Sequence, residues 1–130
     1  MTWTKAFGGA LMTFLIADGV WLGVIAKGFY RANLGPLMKD EPNWLAAALF
    51  YLAYVAGLTF LAVRPGLSAG DWRVAALHGA VLGALAYGTY DMTNLATLKG
   101  WPLPVVAVDI VWGTLLTAAA AVGGYLAART

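Results

Sequence analysis

Three aspartates stand inside segments that otherwise read as lipid-soluble, and a carboxyl group there can bind a cation, hold a proton or act as acid and base. "ADGVWLGV" carries Asp18, "GTYDMTNLATLKGW" carries Asp91 and "VDIVWGT" carries Asp109. Helical spacing names their companions. Trp21 falls at i+3 of Asp18 and Trp112 at i+3 of Asp109, while Tyr87 and Asn94 fall at i−4 and i+3 of Asp91, on its face. Asp18 lies nine residues before Lys27, Asp91 eight before Lys99 and Asp109 eight after Trp101. At about 1.5 Å per residue, the three carboxyls are expected roughly 12 to 14 Å below one surface. Tyr51 and Tyr54 are expected at a comparable depth, with phenols that can donate to the acids.

Facing lipid, an aspartate at a helix centre costs about 2.5 to 3.5 kcal/mol, so three would cost about 8 to 10 kcal/mol. Turned inward, they form a polar layer walled by indoles and phenols. Two close carboxyls can also share a proton and work as acid and base.

The elements that must position these groups follow from composition. The chain has 130 residues, 62% hydrophobic and 11% charged, and its mean hydropathy is +0.76. A soluble domain of this size needs more charge to cover its surface. Apolar runs near the length of about 20 residues needed to cross a bilayer lie at about 6–26, 43–63, 74–95 and 103–128. The pattern predicts an all-α integral membrane protein, a four-transmembrane-helix antiparallel bundle in one membrane domain over 1–130. Pro42 suits a first helical turn, Arg64-Pro65-Gly66 is expected to stop the second helix, and Asp71 is a candidate N-cap for the third. The first run is read as a retained helix, being longer than a signal-peptide core.

The first connection, "KGFYRANLGPLMKDEP" at 27–42, mixes apolar side chains with charges around Gly35-Pro36. It is expected to lie in the membrane interface, with capping of a cavity as the other reading. Small residues recur at Gly79 and Gly83, Ala118 to Ala121, Gly123 and Gly124, where helix backbones can approach closely. His78 sits near the opposite face from Asp91, as an interfacial or packing residue.

Several classes are excluded or set aside. The net charge is +2 with the basic residues scattered at segment ends, so nucleic acid is not an expected partner. Cysteine is absent, and no P-loop, nucleophile elbow or paired-histidine motif accompanies the acids, so neither metal nor cofactor is expected. Lys5, Arg64, Arg73 and Arg129 balance Lys27, Arg31, Lys39 and Lys99 across the membrane, and only the N-terminal amine tips the termini towards the cytoplasm.

The strings "ADGVWLGVIAKGFY", "NWLAAALFYLAYVAGL", "YGTYDMTNLATLKGWPL" and "VDIVWGT" resemble a bacterial family of small four-helix membrane proteins catalogued as domain of unknown function 2177. The pattern matches at Asp18, Trp21, Tyr30, Tyr87, Tyr90, Asp91, Asn94, Asp109, Trp112 and Gly113, among others. The resemblance implies an inner-membrane location, multi-pass, and a lipid-related setting; it assigns no chemistry.

Three functions compete. A binding or carrier module would hold an amphipathic or cationic small molecule or a lipid among Asp18, Trp21, Tyr51, Tyr54, Tyr87, Asp91, Asn94, Asp109 and Trp112. An intramembrane enzyme would use Asp91 and Asp109, with Asp18, as catalytic acids for proton transfer on a lipid-type substrate. A non-catalytic subunit would assemble through its small-residue faces as a homo-oligomer or with another membrane protein. Membrane lipid is a partner in all three.

Overall fold

The computed structural model describes residues 1–130 and contains helices but no strand. Helix α1 (Thr2–Val20) is prolonged by a π-helical turn at Trp21–Ile25. After Ala26 comes α2 (Lys27–Leu34), ending in a 3-10 turn at Gly35–Leu37. Helix α3 (Trp44–Leu58) runs through a second π-helical turn, Thr59–Val63, into α4 (Arg64–Ala69). Then follow α5 (Trp72–Thr97) and α6 (Leu103–Ala128).

Three of the resulting rods, Thr2–Ile25, Trp44–Ala69 and Leu103–Ala128, are long and apolar enough to cross a membrane. The protein is an all-α membrane protein. Helix α5 is equally long at 26 residues but more polar. Its outer face still presents Leu77, Val81, Leu85 and Met92 to the surroundings.

Local chemistry accounts for the ends. The Asn43 side chain accepts from the Ala46 backbone N–H at 3.1 Å to cap α3. The Asp71 side chain accepts from the Arg73 N–H at 2.9 Å to cap α5. Gly70 closes α4 at φ 65°, a conformation in which a Cβ would be strained.

The expected stop at Arg64-Pro65-Gly66 is corrected: the helix continues to Ala69. Pro65 falls in the first turn of α4, directly after the π-helical turn, where a missing N–H and a fixed φ are tolerated. Gly66 lies against Ala75 of α5, so it serves close packing instead of a break.

Helix α6 packs along both α1 and α5, and the buried core gathers Ala6, Ala10, Phe14, Val55, Leu58, Ala62, Val63, Ala75, Leu116, Ala120, Ala121 and Tyr125. Glycines set the spacing. A Cβ on Gly79 would overlap the Thr117 carbonyl, one on Gly83 the Gly113 carbonyl, one on Gly9 the Gly123 carbonyl and one on Gly124 the Ala6 carbonyl. Backbones that close gain dispersion contacts along the seam without needing a hydrophobic drive from water.

The rod formed by α3 and α4 behaves differently at its two ends. Its contacts with α5 come from Thr59–Val63 and α4, whereas α3 itself packs on α1. Trp44, Leu45, Leu49 and Phe50, early in α3, are exposed. The rods therefore part towards the end that carries α2 and the α5–α6 connection.

Candidate functional site

Where α3 parts from α5 lies a cleft of about 550 Å³, within the range of small-molecule sites. Asp18, Trp21, Tyr51, Tyr54, Tyr87, Asp109 and Trp112 line it, as do Phe14, Leu22, Tyr30, Leu34, Phe50, Ala86, Tyr90 and Trp101. Leu22, Phe50 and Tyr90 are also exposed on the outer surface, so the cleft has a lateral rim.

Its centrepiece is an indole pair. Trp21 and Trp112 stack with ring centroids 4.4 Å apart and planes 11° from parallel. The shared D-x-x-W spacing in α1 and α6 suggests that each acid keeps its own tryptophan, but the structure crosses them. Trp112 of α6 donates its Nε1–H to Asp18 of α1 at 3.2 Å. Trp21, in the π-helical turn that prolongs α1, donates to the Tyr30 hydroxyl at 3.2 Å, and Tyr30 in turn donates to Asp109 of α6. Antiparallel helices make this exchange natural, because each D-x-x-W runs towards the other's acid.

Asp18 is 7% exposed and receives a second donor, the Tyr51 hydroxyl, at 2.8 Å. Tyr54 departs from the expectation that both α3 tyrosines serve acids. Its hydroxyl pairs with Thr117 Oγ1 at 2.9 Å, because Tyr54 is one helical turn deeper than Tyr51 and meets the α6 seam instead. Phe14 packs edge-on to Tyr51, 5.3 Å between centroids, and locks that ring from below. Tyr87 lies over Gly113, where any Cβ would collide with its ring.

The three carboxyls do not form one cluster; no three acidic or imidazole side chains come close enough to enclose a metal ion. Asp18 stands on one side of the indole pair. On the other, Asp91 faces Asp109 across the α5–α6 contact, together with the Trp101 indole. Asp91 is 0% exposed, and neither of its oxygens receives a hydrogen bond from the protein; Trp101 Nε1 is likewise buried and unpartnered. Asp91 thus sits behind the cleft wall instead of in it.

Asn94 is also absent from the lining; it stands beside the Tyr90 hydroxyl. One further turn along α5 carries it past the cleft, since position i+3 shares a face but not a depth.

In the first connection, α2 folds back so that its Tyr30 and Leu34 line the cleft. The π-helical turn helps, with the Ala26 N–H bonded to the Trp21 carbonyl at 2.7 Å. Such turns insert an extra residue and re-aim the side chains around them. Tyr30, Tyr90 and Trp101 are the site residues that periodicity misses. Tyr30 and Trp101 stand in connections, where helical period reports no direction, and Tyr90, though inside α5, is the neighbour of Asp91 in sequence and so falls off its face; only the family pattern points to Tyr30 and Tyr90.

No basic side chain balances these acids. The one ion pair of the structure joins Arg73 to Asp71, at 3.1 Å, at the opposite end and exposed. His78 bonds its own helix, Nδ1 lying 2.9 Å from the Val74 carbonyl, and takes no part.

The chain belongs to the family described as predicted membrane protein (DUF2177), whose model matches residues 3–126. No curated protein and no solved structure matches it.

Proposed function

We propose that this DUF2177 chain is a multi-pass protein of the bacterial inner membrane, with all four rods spanning it, whose cleft takes an amphipathic cation from the lipid phase. The observation that carries the proposal is the imbalance of charge type. Asp18 and Asp109 line an aromatic cleft with Asp91 directly behind it, and no lysine, arginine or histidine lines that cleft. Buried acids need a compensating partner. A ligand cation supplies one, and the ring faces of Trp21, Trp112 and Tyr87 add cation–π attraction.

The lateral rim between α3 and α5 suits a molecule that arrives with its tail in lipid, since the exposed Leu49 and Phe50 of α3 are apolar. This geometry supports lipid-related handling of such a molecule, as ligand or cargo. The test is a fluorescence titration in lipid nanodiscs with dodecyltrimethylammonium, dodecyl sulfate and dodecanol. Saturable quenching of indole emission by the cation alone, weakened at least about tenfold in Asp109→Asn, is the expected result. Equal quenching by all three amphiphiles would overturn the proposal.

One observation favours a second reading, an intramembrane enzyme: the direct facing of Asp91 and Asp109. An enzyme using that pair loses turnover but keeps binding in Asp91→Asn.

A further inference from the structure

Asp91 is the one group whose burial the cleft does not explain. Its side chain is fully inaccessible and both oxygens lack a protein donor. An ionised carboxylate so placed would have no solvent to stabilise it, and its nearest donor, the Trp101 indole N–H, stands outside hydrogen-bond reach. Yet it faces another carboxyl, and Asp109 also receives the Tyr30 hydroxyl and lines the cleft. Two carboxyls can face each other at such a contact when a proton bridges them.

From this geometry we infer that Asp91 and Asp109 hold one proton between them, and that a cation entering the cleft beside Asp109 displaces it, so that binding exchanges a cation for a proton. The exchange clause rests on the cleft reading above; the shared proton does not. Charge balances: the pair carries one negative charge with its proton, and after the proton passes to water it carries two, one of them met by the bound cation.

The groups facing the pair are consistent with this. Tyr30 approaches from α2, Trp101 from the α5–α6 connection, Tyr87 and Tyr90 from α5 itself, and Asp18 from α1 beyond the indoles. None is cationic, so the proton is the only positive charge the site holds when empty. Asp109 is half-buried and touches the cleft, while Asp91 does not, which separates the roles. Asp109 meets the ligand; Asp91 keeps the proton in place while the cleft is empty, and once it leaves, the cation bound beside Asp109 takes its place as the positive charge next to both carboxylates.

Two readouts on the full-length protein in nanodiscs test it. Infrared difference spectra of the ligand-free protein near neutral pH should contain a protonated-carboxyl stretch that is lost in Asp91→Asn. Its absence from the wild type would overturn the shared proton, whatever binds.

In weak buffer with an indicator dye, dodecyltrimethylammonium should release about one proton per cation bound wherever the empty pair holds its proton, and over that range its affinity should rise about tenfold per pH unit. Asp91→Asn, nearly isosteric and checked for intact helix content and monodispersity, should still quench indole emission but release almost no proton. Saturable quenching without proton release from the wild type would overturn the exchange. If the stretch is present and the cation fails to quench at any pH, the cleft reading and the exchange fall together while the shared proton stands.

Discussion

At the end holding both termini, α1, α5 and α6 touch through Gly9, Gly79, Gly123 and Gly124, with Ala6, Ala10, Ala120 and Ala121 filling what remains. At the other end the same helices, the π-helical turn after α1 and the α5–α6 connection carry Trp21, Tyr87, Tyr90, Trp101 and Trp112, and α3 stands away from α5. Small residues bring backbones together and leave no room for chemistry. Large rings do the reverse, bracing the rods apart and screening carboxyls from lipid. Gly83 and Gly113 mark the changeover, since Gly83 closes the seam while Gly113 yields its space to the Tyr87 ring.

The largest effect should come from breaking the tight half. Gly83→Leu drives a side chain into the Gly113 carbonyl, and overpacking of this kind costs about 3 kcal/mol. Loss of monodisperse protein on thermal size-exclusion measures it. A neutral outcome would mean that the seam can open, and the contrast between the halves would fail.

Gly113→Ala acts at the border. One methyl displaces the Tyr87 ring into the cleft, with a stability cost of about 1 to 2 kcal/mol and a larger loss of cation affinity than of stability. Titration and thermal melting of the same sample separate the two effects.

In the open half, Tyr51→Phe removes one of the two donors to Asp18. A stability loss of about 1 kcal/mol is expected, and a double-mutant cycle with Asp18→Asn should recover most of it as coupling. Additivity of the two changes would show that the bond contributes nothing.

The smallest effect lies outside the membrane-spanning parts. The Arg73 guanidinium and, next, its backbone N–H hold the Asp71 carboxyl below the usual carboxylate range. A depressed folded-state value adds stability above the unfolded pKa and loses it as pH falls through the folded one. Wild type and Asp71→Ala should therefore differ slightly at neutral pH and converge below about pH 4. Arg73 is exposed and Asp71 partly so, so solvent screens the pair and the gap in melting temperature is expected to be small.

Much of the architecture is legible one helix at a time. Apolar run length finds the rods, and Asp71 announces the start of α5 because an N-cap is a local hydrogen bond between near neighbours. Pro65 is misleading for the same reason that it is informative elsewhere: proline stops a helix only where the interior N–H is needed, and a π-helical turn removes that need.

The sequence by itself determined that three carboxyls lie within long helical segments, that indoles and phenols accompany them, and that small residues recur on α5 and α6, because length, composition and helical period are properties of each segment alone. Only the tertiary structure decided which acid meets which donor. It crossed Trp21 and Trp112 between α1 and α6, brought Tyr30 back from the first connection onto Asp109, set Asp18 apart, and left Asp91 buried against Asp109. Those outcomes depend on the register of antiparallel neighbours and on where glycine lets them touch, and both are relations between segments that no single segment encodes.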